Sequence, residues 1–320
     1  MHAAGFQRFL KKIATLSKRQ RQALMAALRP AIGMDRVADV IEQATEGRRA
    51  CPACASRRLH RHGHTHGLQR YRCTACGKTF NALTGTPLAR LRLKGRWLDY
   101  LDTVLDSRTV RGAADAVGVH RNTSFRWRHR FLDLARHDQR GTLDGIAEAD
   151  EMYVLESEKG ARHLTRPPRK RGGVASKRGI SGEQVCVLVA RDRDGRTQDF
   201  VTGKGPVTKR QLHRDLLPVL ARDVLLVSDG HAAYRYFAQE AGISHAWVNL
   251  RAGERVRGAI HVQNVNAYHS RLRSWMARFH GVATRYLSNY LGWRWALDLN
   301  RISSSEQLLR TAIGVFHTCQ

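Results

Sequence analysis

A chain of 320 residues with 55 Lys+Arg against 27 Asp+Glu carries a formal net charge of +28 and an isoelectric point near 11.0. Such a surplus repels itself in a compact state, which excludes an ordinary metabolic enzyme and points to a polyanionic partner, nucleic acid first. No apolar run approaches the ~20 residues of a membrane helix, and the opening MHAAGFQRFLKK lacks the apolar stretch of a secretory leader, so no membrane partner and a cytoplasmic location are expected.

The length predicts two domains, or one large domain with small modules. In residues 1–48, apolar positions recur at helical spacing (Phe6, Phe9, Leu10, Ile13, Leu16; Leu24, Met25, Leu28; Val37, Val40, Ile41) among Lys and Arg. Two or three short helices are expected, forming a basic packing or dimerising segment in preference to a DNA contact.

Residues 49–82 have little apolar content and need a staple. Cys51-Pro-Ala-Cys54 and Cys73-Thr-Ala-Cys76 enclose 18 residues, the C-x2-C-x15–20-C-x2-C spacing of a zinc ribbon. Two such knuckles complete a closed, structural tetrahedral S4 site for Zn2+. Four thiolates saturate zinc, which leaves His60, His62, His64 and His66 as weaker competitors.

Helical periodicity returns over 94–135. Thr109–Val117 reads as one helix, Gly118-Val119 as a turn and Arg121–Arg130 as a second helix. The expected buried set is Val110, Ala113 or Ala114, Val117, Val119, Phe125 and Leu132. Arg121, Asn122, Thr123 and Arg126 then point outward, residue types suited to phosphates and base edges in a major groove. A helix-turn-helix DNA-binding unit is expected, with a structural helical hairpin as the alternative.

From about 145 to 300, short β-branched runs alternate with helical stretches, as in an α/β domain; residues 301–320 read as a C-terminal tail. Ile146-Ala-Glu148-Ala-Asp150-Glu151-Met-Tyr-Val154 alternates along a strand, so Glu148 and Asp150 share one face and Glu151 takes the other. A second strand, Asp223–Asp229, ends in an Asp before a Gly turn and a helix. Two carboxylates at the carboxyl ends of neighbouring strands suggest a Mg2+ site. Between them, residues 159–180 hold eight Lys or Arg and no acid, which predicts a mobile basic loop with Lys170 and Arg171 available to phosphate. The aromatic run Trp275, Phe279, Tyr286, Tyr290, Trp293 and Trp295 is expected to be core.

With CPAC…CTAC, EADEMYV, LLVSDGHAAY and VNLRAGERVRGAIHVQNVNAYHSRLRSWM in this order, the chain resembles the DDE-class transposases of bacterial insertion sequences, in the branch with a zinc ribbon and helix-turn-helix before an RNase H-like catalytic domain. The resemblance implies Asp150 and Asp229 as the first two catalytic acids and Asn266 as the third residue, where the wider family commonly has an acid. Neighbouring Asn264 is the other candidate for that place. An amide oxygen coordinates Mg2+ without neutralising it, so Glu148 or Glu151 is expected to supplement the shell. Arg273, seven residues beyond Asn266, corresponds to a phosphate-contacting basic residue, and His261 to one that orders the site or touches DNA, with plain packing as its alternative. The implied activity is cleavage and strand transfer with two Mg2+ (or Mn2+) ions, on the element's terminal inverted repeats and a target DNA, by a homodimer or higher oligomer. The alternatives are a DNA-binding regulator with a degenerate catalytic domain, or a nuclease that cuts without joining.

Overall fold

The computed structural model describes residues 2–138, 141–170, 172–249 and 252–316. It divides the chain into two compact units, one of residues 1–131 with 302–320 and one of residues 132–301.

The first unit begins with α1 (Ala3–Ile13), which buries no residue, and α2 (Lys18–Thr45). Ser17 and Gln20 cap α2 reciprocally. In place of the expected set of short helices, α2 runs unbroken for 28 residues through Pro30, and only its second half, at Val37, Val40, Ile41 and Ala44, is buried. A three-stranded antiparallel sheet follows: β1 (Leu59–Thr65), β2 (Leu68–Cys73) and β3 (Thr79–Asn81).

Next come α3 (Trp97–Leu105), α4 (Val110–Val117) and α5 (Arg121–Phe131). Thr109 caps α4 by accepting from the Gly112 N–H, and Gly118 ends it at φ +67°. The α5 face that packs is Ser124, Trp127, Arg128 and Phe131, the i, i+3, i+4, i+7 stripe of a helix. Phe125, expected in the core, lies one step off that stripe and is 40% exposed. Its expected place is taken by Trp127 and Phe131, which stack with Trp97 and Tyr100 of α3.

The second unit is built on β4 (Ile146–Leu155), β5 (Gln184–Asp192), β6 (Thr197–Lys204), β7 (Leu225–Ser228) and β8 (Ser244–Trp247) in the order β6-β5-β4-β7-β8. The pairs β4–β5 and β5–β6 are antiparallel, whereas β4–β7 and β7–β8 are parallel. Helices α6 (Lys209–Asp215) and α7 (Ala232–Ala241) cover one face, where Leu212, Tyr234 and Phe237 meet Ala147, Ala149, Leu188 and Leu226. The remaining helices of the unit, α8 (Gln263–Ala277) and α9 (Leu287–Asp298), pack on β4, β5 and β6. Alternation along β4 therefore gives Ala147, Ala149 and Glu151 to the α7 side and Glu148 and Asp150 to the α8 side. Trp275, Phe279, Tyr290 and Trp293 stack on one another as core.

One expectation needs correction. The stretch expected as a C-terminal tail, 301–320, is folded over its described residues: α10 (Ser305–Ala312), capped by Ser304, buries Leu308, Leu309 and Ala312 against α2, α3 and α5 of the first unit. Spaced i, i+1, i+4, these three residues form an apolar stripe that needs a partner. The basic segment 159–180 has no helix or strand among its described residues, and several of its side chains are hydrogen-bonded. Arg166 and Arg169 donate to the Glu156 carbonyl, Thr165 and Ser176 donate to Glu158 and Glu183, and Lys159 reaches the Gly281 carbonyl at 2.9 Å. Three of its cations, Lys159, Arg166 and Arg169, thus satisfy backbone carbonyls that the irregular chain leaves open.

Candidate active site

The parallel pairing of β4 with β7 joins Ile146 to Leu225, Ala147 to Leu226 and Glu148 to Val227. Two residues farther along each strand, the same register brings Asp150 level with Asp229, both on the α8 side of the sheet. Asp229 lies just past the end of β7, where Gly230 turns at φ +83° and His231 caps α7. One of its oxygens accepts from the His231 N–H at 3.1 Å. This is the carboxyl end of the parallel strands, where open α/β sheets gather ligands.

Helix α8 enters over the same face. His269, 2% exposed at its side chain, sets Nδ1 3.6 Å from Asp150 Oδ2, and its buried Nε2 has no partner among the described residues. One turn earlier, Asn266 is exposed on the flank of that face. Arg273, two turns beyond Asn266, is exposed as well.

What holds α8 there is Glu148. Its side chain is fully buried, and its oxygens accept from the Asn264 N–H (2.7 Å), the Val265 N–H (2.9 Å) and the Asn264 side-chain amide (3.0 Å) at the open N-terminus of the helix. Arg193, beyond the end of β5, completes the charge at 2.8 Å. The same guanidinium reaches His261 Nε2 at 2.8 Å and the Ala259 carbonyl at 2.7 Å, while His261 Nδ1 lies 3.3 Å from Glu148. A carboxylate so engaged satisfies helix donors that would otherwise be orphaned and has no free lone pairs directed at a metal. The expectation of Glu148 as a supplementary metal ligand is therefore corrected: it anchors the helix. Asn264 is engaged with the same anchor, whereas the exposed Asn266 side chain has no hydrogen bond among the described residues. Arg193 had no motif to mark it, since its role comes from a strand pairing that brings residues 148, 193 and 264 together.

Glu151 points to the other face, as expected, and accepts from the Tyr234 hydroxyl of α7. Burial pushes its carboxyl up to about 7, and the Asp150 and Asp229 charges add to the push. The same two charges act on Tyr234, whose hydroxyl burial and Glu151 hold well above its ordinary range. Both effects place Asp150 and Asp229 within electrostatic reach of Glu151 and Tyr234. Glu151 thus touches the pair electrically, but its carboxyl is committed to Tyr234.

In the first unit the four cysteines converge. Cys51 and Cys76 sulfurs stand 3.5 Å apart and Cys54 and Cys73 sulfurs 3.6 Å apart, all four within reach of one ion. A tetrahedron with metal–sulfur bonds of about 2.3 Å has edges of about 3.8 Å, so the donor set fits a metal. The Cys76 N–H lowers the Cys73 thiol to about 6 against the upward push of burial, with help from the Ala75 N–H. Arg121, Asn122 and Arg126 are exposed along α5 and Thr123 is half-buried. In the second unit Lys170 is exposed, while Arg171 lies outside the described residues.

A second acidic group, Asp144, Asp192 and Asp194, also converges. Arg196 already fills it, pairing with Asp144 at 2.7 Å, Asp194 at 2.9 Å and Asp192 at 3.4 Å. It is an ion-pair cluster around the β5–β6 turn.

Residues 142–295 match the family described as the ISXO2-like transposase domain. Over 244 residues the chain is 30% identical to an uncharacterized protein in transposable element ISH50 of Halobacterium salinarum, covering 75% of this chain and 82% of that protein. Among solved structures it is similar to a Mos1 strand transfer complex at 16% identity, covering 67% of this chain and 73% of that one, with a TM-score of 0.29. It is also similar to a pre-cleavage Mos1 transpososome at 13% identity, covering 70% of this chain and 80% of that one, with a TM-score of 0.23; both scores are too low to bear on the fold. No helix among the described residues is long and apolar enough to cross a membrane. From the domain match and the insertion-sequence relative, the chain belongs to the DDE-class transposases of insertion sequences.

Proposed function

We propose that this transposase binds the terminal inverted repeats of its element and cuts and joins DNA at Asp150, Asp229 and Asn266. The observation that carries the reading is the shared rung of Asp150 and Asp229 on parallel strands beneath α8. The strand order, with two antiparallel pairs followed by two parallel ones, supports the reading of this unit as an RNase H-like domain.

Two carboxylates and an amide are hard oxygen donors suited to Mg2+ or Mn2+. Bound there, the cations would supply Lewis-acid activation of a water or a DNA 3′-hydroxyl and stabilisation of the leaving oxygen. The chain's own residues do the positioning. Glu148 and Arg193 fix the start of α8, the helix carries Asn266 over the strand pair, and Arg273 faces solvent on the same helix to meet a phosphate. The four cysteines would hold Zn2+ and fold the ribbon. Helices α4 and α5 serve as the helix-turn-helix, with Arg121, Asn122, Thr123 and Arg126 toward DNA. Joining two ends calls for a homodimer or higher oligomer, working in the cytoplasm on the nucleoid.

The test is a strand-transfer assay with labelled terminal-repeat DNA, a target plasmid and Mg2+ or Mn2+. Joined products that vanish in Asp229→Ala support the reading. Specific end binding without cleavage in either metal favours a DNA-binding regulator, and cleavage without joining favours a nuclease.

A further inference from the structure

The first unit contains a groove of about 910 Å³ between α2, the ribbon and the segment 83–94. Its walls carry Arg90, Arg92, Lys94 and Arg130, with His66 and Asn81 at the ribbon side, and no acidic residue lines it. None of the four cations forms an ion pair with a described residue. Some cations of the same unit are paired, as Arg29 is with Asp99 and Arg49 with Glu42. Four uncompensated charges facing one concavity raise the local potential for anions.

The groove is also built to hold its shape. Arg90 and Leu93 adopt φ of +62° and +58°, a conformation that non-glycine residues keep only where the surroundings enforce it. The Trp97 indole N–H donates to the Arg92 carbonyl at 3.2 Å. Behind Lys94, a Cβ on Gly33 would lie 2.1 Å from the Gly95 oxygen, and one on Gly95 would lie 2.0 Å from the Pro30 oxygen. Two glycines thus let the turn Lys94–Arg96 close directly on α2, and Lys94 is held half-buried, with the Trp97 ring 5.9 Å from its ammonium. Arg96, two residues farther on, is used internally on the Val117 and Gly118 carbonyls; the four groove cations are not.

We propose that this groove seats the phosphate backbone of duplex DNA, with Arg90, Arg92, Lys94 and Arg130 as phosphate contacts distinct from the outward residues of α5. The proposal rests on the reading of the chain as a DNA-end-binding transposase and adds to it a sequence-independent clamp. Phosphate contacts set register and affinity, whereas base contacts set specificity.

The test uses the full-length, zinc-loaded chain and fluorescence anisotropy on two labelled duplexes, one with the terminal repeat and one scrambled, across a KCl series. Replacing all four cations by Gln should lower the slope of log K against log salt by about 3–4, at ~0.9 per phosphate contact. The fall should be the same on both duplexes, leaving their affinity ratio unchanged. A variant that keeps Lys94 and replaces the other three guards against misfolding and should lower the slope by about 3. A matched control replaces Arg8, Lys11, Lys12 and Lys18, all exposed in the N-terminal stretch, and should change it less. An unchanged slope in the groove variants, or an equal fall in the control, overturns the proposal. Equal wild-type affinity for the two duplexes instead counts against end recognition, while the slope still decides the groove.

Discussion

Asp150 on β4 and Asp229 past the end of β7 stand on one rung of two neighbouring parallel strands, both facing α8. Both charges act on Glu151 and Tyr234, adding to the upward push of burial on each. A cation bound beside the two carboxylates would offset their charge. Glu148, one strand repeat before Asp150, captures the N-terminus of helix α8 on the same face as the pair.

Glu148→Ala should therefore damage both fold and site. Removing one partner of a buried pair leaves Arg193 and two helix N–H groups uncompensated, at a cost of about 3–5 kcal/mol, measured by denaturant unfolding. Metal affinity should fall on the order of 10–100-fold, the usual effect of losing a group that orients ligands. A stability loss below about 1 kcal/mol would mean that the anchor is dispensable.

Asp298 predicts an acid limb of stability. Burial pushes its carboxyl up, but the Arg271 hydrogen bonds and the charges of Arg271, Arg294 and Arg191 outweigh burial and hold it below the ordinary carboxylate range. With a folded value below the unfolded one of ~3.9, its contribution is present above that pH and is lost as pH falls through the folded value. Asp298→Asn should thus destabilise by about 3 kcal/mol at pH 7 and progressively less below about pH 4. Melting curves at both pH values check this; a difference independent of pH contradicts it.

Gly33→Ala should cost about 1–3 kcal/mol, since the added carbon meets a backbone oxygen and cannot be relieved by a rotamer change. Thermal melts of the variant and of Gly77→Ala, where open space surrounds the position, separate the clash from the loss of glycine. Gly77 has φ +71°, so its cost reflects backbone conformation alone.

Metal removal should unfold the ribbon. Chelation, or Cys73→Ser, should release one zinc ion per chain, as a closed four-thiolate site holds one. Zinc analysis and circular dichroism read the outcome; an unchanged ribbon without metal contradicts it.

The parts of this architecture readable in the sequence are those written by local pattern. The paired cysteines carry their own spacing, and the alternation of EADEMYV correctly divides Glu148 and Asp150 from Glu151. What alternation cannot reveal is the partner across the sheet. Glu148 looks like a metal ligand until Arg193 and the α8 N-terminus arrive from residues 45 and more than 100 positions away. Phe125 was misread because the helical stripe starts at Ser124, a small polar residue with little hydrophobic signal. The last helix passed as a tail because its apolar residues are few and its partners lie at the opposite end of the chain.

The most direct measurement is a metal-specificity switch at the aspartate pair. Asp150→Cys and Asp229→Cys place a soft thiolate where a hard oxygen is proposed to bind, which disfavours Mg2+ more than Mn2+. DNA-end cleavage should be lost in Mg2+ and partly return in Mn2+, while Glu148→Cys shows no such metal preference. Equal loss in both metals at Asp150 and Asp229, with no return in Mn2+, would contradict the assignment of this pair as the metal-binding centre.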